Sequence, residues 1–440
     1  MLSKDQIKSI TDKVMSMSTA DETEAYVGSH RSSLTRFAEN HIHQNVSEED
    51  VGLSVSVIFD GRMGEASTNK IDDESIKETV ENATEIAKFA PKDEELLPRL
   101  GSQEYREVQA YDPEIDEITP MDRAKGVLYM TELCKKNGFK AAGAVSDNSG
   151  AGALANSKGL FAFHKGSGIN YSATAMGDTG SGWVQRASHK RADIDMEKLA
   201  HIAVDKAIKS QNPKEVPPGK YTVILEPHAA SELVGFMMGG FNALAVDEGR
   251  SFLSDKVGKK IVGDYITMYS DPYHPLQQGR PYDGDGVPTK RVELIKNGVA
   301  TNLVYDRLTA KKHGVEPTGH GGGGRNAYGA YPSSPVMEGG KATIDEMIAS
   351  TERGILVTRF WYTNFVDPMM VIITGMTRDG TFWIEDGKIA YGIKNFRINQ
   401  NVLEMLSNVE MMSEPVLADG IVVPAMKVKD FNFSSGSDAI

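Results

Sequence analysis

His228 and Glu232 stand four residues apart in YTVILEPHAASELVGFMMGG, the segment that starts at Tyr221. On a helix that spacing puts both on one face. An imidazole and a carboxylate there supply two ligands to a metal, with His274 as a candidate third. Two ligands do not make a site, and the plainer reading is that His228 borders the helix while Glu232 is solvated or salt-bridged. Zinc peptidases that work from a helix carry two His on one face and a Glu beside the first, because the metal needs fixed nitrogens and its water needs a base. The residues that follow here are Gly235, Phe236, Gly239 and Gly240, none with a donor side chain. Glycine in a helix interior costs about 1 kcal/mol relative to Ala. These glycines therefore predict a close approach to that face, by a neighbouring element in the first instance and by a bound chain in the second.

A second candidate is TGHGGGGRN, residues 318–326. A glycine run leaves backbone N–H groups open to an anion or an extended peptide and tolerates the positive φ that such a cradle needs. No Lys-Ser or Lys-Thr follows the run, so it is not a Walker phosphate loop, and a surface loop is the plain alternative. In YDGDGVPTKR, Asp283 and Asp285 flank Gly284, a composition that reads as a tight turn before it reads as a cation site. The aromatics of RFWYTNF, 359–365, are assigned to the core by default and to a groove wall otherwise. TGSGW at 179–183 lacks the spacing of a nucleophile elbow, and Cys134 lies mid-helix beside lysines with no protease partner in view.

VILEPHAASELVG at 223–235, SFLSDKVGKKI at 251–261, YDGDGVPTKRVELIKNGV at 282–299 and TGHGGGGRN at 318–326, with SSLTRFAEN at 32–40 and VVPAMKV at 422–428, resemble in order and spacing the TldD/PmbA family, described as modulators of DNA gyrase and as a heteromeric metalloprotease. The similarity covers nearly the whole chain. TldD-like members carry HExxxH in the helix and a Cys near the C-terminus, and PmbA-like (TldE-like) members lack the metal motif. Laid on that pattern without gaps, the ligand His fall on Gly235 and Gly240, the Glu on Phe236 and the Cys near Ala418. The resemblance thus implies a PmbA-like, non-catalytic subunit of a metallopeptidase system. It further implies that the groove that takes unfolded peptide is shaped by Gly235, Gly239, Gly240, His320, Gly321, Gly322, Arg325 and Asn326, with no cofactor in this chain and zinc in an HExxxH-bearing, TldD-like partner. A stand-alone homodimer that binds peptides, and a metallopeptidase with a displaced site near His228 and Glu232, are the alternatives.

The elements that would position these residues belong to a multi-domain α+β fold, mainly antiparallel sheets with flanking helices. At 440 residues the chain exceeds one core, and three units are expected over 1–110, 111–212 and 218–440. Helices are predicted from about Asp73 to Phe89, from about Met121 to Lys136 closed by Gly138, and from about Asp193 to Ser210. Residues 91–120 read as an acidic linker or surface excursion, and QNPKEVPPGK at 211–220 as an extended spacer. Asn297-Gly298 and Asp386-Gly387 predict tight hairpins. The net charge of −13 argues against nucleic-acid binding. The cluster Arg186, His189, Lys190 and Arg191 is read as a solvated hairpin end. A single Cys, no signal-like N-terminus and no membrane-spanning run lead to the expectation of a cytoplasmic protein.

Overall fold

The computed structural model describes residues 1–323 and 328–437. Its first half is built on one antiparallel sheet of β1 (Glu22–Ala38), β2 (His41–Phe59), β3 (Arg62–Thr68), β4 (Lys140–Asn156), β5 (Phe161–Met176) and β6 (Ser181–Ser188), in the order β3-β2-β1-β4-β5-β6. Strands β1 and β4 pair from Glu24↔Asn156 to Phe37↔Gly143, so chain segments on either side of the acidic stretch share the sheet. At one end α1 (Lys4–Met17), set by a Ser3 capping box, and α2 (Asp73–Phe89) bury Ile7, Val14, Ile76 and Val80 against Val27 and Val55. Beyond α3 (Pro113–Asp116), the helices α4 (Pro120–Lys136) and α5 (Met196–Lys209) cover the other end, with Val127, Met130, Cys134, Tyr171 and Val204 between them and the sheet.

The second half wraps strands into a closed ring. β7 (Gly219–Leu225) runs into α6 (Pro227–Gly235). A smaller sheet collects β8 (Met268–Ser270), β9 (Val292–Lys296), β10 (Val299–Ala300), β11 (Pro335–Met337), β17 (Val416–Ala418) and β18 (Ile421–Val423). β12 (Arg353–Asp367), β13 (Ile372–Glu385), β14 (Lys388–Gly392), β15 (Phe396–Asn401), β16 (Val409–Met412) and β19 (Met426–Gly436) complete the chain. The ladder β12-β7-β19-β15-β13 closes because β12 also pairs with β13, and Val223, Leu225, Ile355, Ile373, Ile398, Phe431 and Phe433 fill the core behind it. The predicted hairpins form at Asn297-Gly298 and Asp386-Gly387, with both residues of each pair at positive φ. The multi-domain α+β class, dominated by antiparallel pairing, is the observed one.

Four expectations are corrected by the structure. The helix after Tyr221 ends at Gly235, with Phe236 as its C-cap, so Gly239 and Gly240 lie in the 3-10 turn Met238–Phe241 and not in a helix interior. Asn242 then caps a new short helix by accepting from Leu244 N. The aromatics of 359–365 are not all core: Phe360 is buried, but Trp361, Tyr362 and Phe365 are 39%, 66% and 44% exposed. The cause is a register shift in β12 after Trp361, with Tyr362 at φ 54°, which turns neighbouring side chains outward. His189 of the basic cluster is buried. The spacer at 211–220 is pinned, with Lys214 N donating to Gly392 O at 2.9 Å and Lys394 N to Lys214 O at 3.0 Å.

Candidate functional site

Helix α6 begins with Pro227 at its first position, where the missing N–H costs nothing. Its N-cap Glu226 turns its carboxylate to Lys206 Nζ at 2.6 Å, which ties the helix start to α5. On its inner face Ala229, Ala230, Leu233 and Val234 are fully buried. The hairpin of β17 and β18 seats the other side: Ser231 Oγ donates to Ala418 O at 2.7 Å, and Gly235 faces Ile421, whose Cδ1 would lie 3.5 Å from an added Cβ. The positions that the family pattern assigns to the helix and to the C-terminal Cys are thereby brought together, although they are far apart in sequence.

None of them offers a metal donor. Phe236 meets Phe365 edge-on at 4.8 Å between ring centroids. Gly240 is backed by Phe252, whose Cε1 would lie 2.1 Å from an added Cβ, whereas nothing lies within 4 Å of one at Gly239. His228 and Glu232 stand one turn apart in α6, and each is engaged by protein partners. His228 Nδ1 lies 3.0 Å from Asp419 Oδ2, its Nε2 lies 3.1 Å from Gln185 O, and its ring packs edge-on to Trp183. Glu232 accepts from Thr363 Oγ1 at 2.8 Å and from Phe360 N at 3.2 Å, and burial raises its carboxyl above the usual range. His274 Nδ1 accepts from Leu276 N, within its own turn. Among the described residues no group of three His, Cys, Asp or Glu gathers closely enough to hold a metal, so these side chains do not fit a zinc ion on α6.

The glycine loop docks on the Asp-Gly-Asp-Gly turn. Asp283 Oδ2 accepts from Gly321 N at 2.8 Å, and Gly284 N donates to Gly321 O at 3.0 Å. The backbones are too close for side chains, since a Cβ on Gly284 would sit 2.3 Å from Gly322 O. Burial raises Asp283 to about 6, and Asp285 adds to the shift. His320 is 4% exposed, and burial lowers it to about 4. Being neutral, it donates from Nδ1 to Thr318 O at 3.0 Å and accepts at Nε2 from Ser270 Oγ at 2.9 Å. His320 therefore anchors the loop's start, and Tyr331 N closes its far end on His320 O at 3.0 Å. A cleft of about 390 Å³ opens beside the loop, lined by His320, Gly321 and Gly322 and by Gln278, Arg280 and Asp283. Arg325 and Asn326 lie outside the described residues. Sequence reasoning missed Asp419, the partner of His228, and did not pair Phe365 with Phe236, because no spacing rule joins segments so far apart.

The chain matches three consecutive family models: PmbA/TldA metallopeptidase domain 1 over residues 23–87, the central domain over 94–211 and the C-terminal domain over 218–435. It is 24% identical over 421 residues to the metalloprotease PmbA of Escherichia coli O157:H7, covering 90% of this chain and 88% of that protein. It is 27% identical to the metalloprotease TldD homolog of Buchnera aphidicola over 52% of this chain and 47% of that protein. The crystal structure of TldE from Thermococcus kodakarensis superposes with a TM-score of 0.85 at 25% identity, covering 98% of this chain and 99% of the other. A Thermotoga maritima protein named for modulation of a DNA gyrase has the same fold, with a TM-score of 0.85 at 21% identity over 97% and 99% of the two chains. Matches to all three domain models and to relatives along nearly the whole length place this chain in the PmbA/TldD metallopeptidase family.

Proposed function

We propose that this chain is the PmbA-like (TldE-like) subunit of a TldD/PmbA-type metallopeptidase system, non-catalytic by itself, which completes a cavity for unfolded peptide beside an HExxxH-bearing partner. The observation that carries this reading is the content of the metal-motif positions. Gly235, Phe236 and Gly240 supply no ligand and no base, and Phe236 and Gly240 are taken up by contacts with Phe365 and Phe252. His228 and Glu232 are likewise committed to protein partners. The likeness to TldE over 98% of this chain supports the same assignment. Buchnera aphidicola contains relatives of both the PmbA and the TldD kind, which fits a division of labour between two related chains.

In this reading zinc and the water-activating base belong to the partner, and this chain holds substrate. The cleft beside Gly321 and Gly322 and the surface around α6 are the groove walls, and the site of action is the cytoplasm. Among the described residues no helix is long and apolar enough to cross a membrane. The test is reconstitution. The purified chain is expected to leave an unfolded peptide uncut and to restore cleavage when mixed with an HExxxH-bearing relative from the same cell. Cleavage by the chain alone that stops on His228→Ala would favour the displaced metal site. Failure of any such relative to co-purify would leave the homodimeric peptide binder.

A further inference from the structure

Strand β5 has an open edge. It pairs with β4 from Phe161 onward, but its pairing with β6 begins only at Ile169. Among the described residues no strand takes up the outer side along Phe161–Gly166, and the first main-chain bond beyond it is Ser167 N to Ala110 O at 2.9 Å. Six residues at ~3.3 Å each give an edge of ~20 Å. Such edges are ordinarily covered or blocked, because their free N–H and C=O groups are a template for another strand.

The segment that could cover it stands off. Residues 105–111 run beside the edge and leave a trench of about 570 Å³, with Tyr105 to Tyr111 on one wall and Phe161, Phe163 and Lys165 on the other. Three cations line this trench and none forms an ion pair among the described residues. Lys165 Nζ lies 3.4 Å from the centroid of the Tyr111 ring, the Arg106 guanidinium 4.3 Å from that of Tyr273, and Lys4 Nζ 5.7 Å from that of Phe163. The one carboxylate in the lining is Glu107. In a chain of net charge −13 this is a local reversal of sign. His164 also lines the trench and is held neutral at physiological pH by burial.

We propose that the Phe161–Gly166 edge of β5 accepts an extended acidic polypeptide segment as an added strand, with its carboxylates meeting Lys4, Arg106 and Lys165. Main-chain pairing holds the segment in any sequence, and the cations, which form no ion pair among the described residues, select acidic side chains. Single-stranded nucleic acid is disfavoured because the ring faces that would stack bases already carry the cations. The inference rests on the reading that this chain holds unfolded peptide, and it adds a site and a side-chain preference to that reading.

The test is fluorescence anisotropy on the full chain with a labelled extended peptide rich in Glu, its Gln counterpart, two N-methylated versions blocking alternate residues, and oligo-dT. The Glu peptide is expected to bind most tightly and to weaken with salt, and one N-methyl version is expected to lose binding. Arg106→Glu with Lys165→Glu is expected to weaken the Glu peptide by about tenfold, as two partly exposed ion pairs would, with the melting temperature unchanged. Equal binding of Glu and Gln peptides, full binding of both N-methyl versions, or displacement by oligo-dT would overturn the proposal while the peptide-holding role stands. Binding of no peptide at all would remove both.

Discussion

Two adjacent glycines should respond oppositely to the same substitution. At Gly240 an added methyl would sit 2.1 Å from Phe252 Cε1 and 2.4 Å from Cδ1. Phe252 is 3% exposed and packs edge-on to Phe241 at 5.9 Å, so it has no free space to retreat into. Overpacking of this kind costs about 1–3 kcal/mol, and the gain of about 0.4–1 kcal/mol from stiffening the unfolded chain offsets only part of it. Gly240→Ala is therefore expected to destabilise the second half by about 1–2 kcal/mol. For a unit of this size that is roughly a 2–8 °C fall in its melting temperature. At Gly239 nothing lies within 4 Å of the new methyl and φ is not positive. Gly239→Ala should then be neutral or stabilising by up to ~1 kcal/mol. Differential scanning calorimetry and urea unfolding followed by tryptophan fluorescence measure both. Shrinking the obstacle with Phe252→Leu in the Gly240→Ala background should recover part of the loss. Equal stability of the Gly240→Ala and Gly239→Ala proteins would refute the claim that close packing is why glycine stands at 240.

Asp283 gives a pH signature. Its carboxyl is raised from 3.8 to about 6, so its contribution to stability is complete below about pH 4 and is lost as pH rises through 6. Asp283→Asn should abolish that slope, about 3 kcal/mol at most for a shift from 3.8 to about 6, and urea midpoints measured from pH 4 to 8 would retain it if the assignment is wrong. In the first half, Arg123 is 1% exposed and donates to Asp147 at 2.6 Å. Arg123→Ala strands a buried carboxylate and should cost about 3–5 kcal/mol. A loss under 1 kcal/mol by chemical denaturation would mean that Arg31, 3.3 Å from Asp147, carries the charge balance instead.

Local signals in the chain foretold what local chemistry governs. The helix from Asp73 to Phe89 was legible because Ile76, Val80, Ala83 and Ala87 repeat at helical spacing, and all four are buried. Asn297-Gly298 and Asp386-Gly387 were legible because few residue pairs accept two successive positive φ angles. The early end of α6 was harder to read. Propensity alone gives the glycines a cost without fixing which of them ends the helix. Alternation turns Trp361 outward after buried Phe360, but the outward turn of Tyr362 beside it depends on a bulge set by pairing with β13, which composition does not encode.

By itself, then, the sequence determined the fold class, the turns, the absence of ligand types at 235, 236 and 240 and the family to which these point, since each rests on residue identity or short-range spacing. Only the tertiary structure decided what those residues touch. It set Ala418, Asp419 and Ile421 against α6, gave Gly240 its reason in Phe252, engaged His228 and Glu232 with protein partners, and, among the described residues, left the Phe161–Gly166 edge of β5 open beside three cations outside any ion pair. Those contacts join residues far apart along the chain, and what fixes them is how sheets close and helices pack, which no local pattern records.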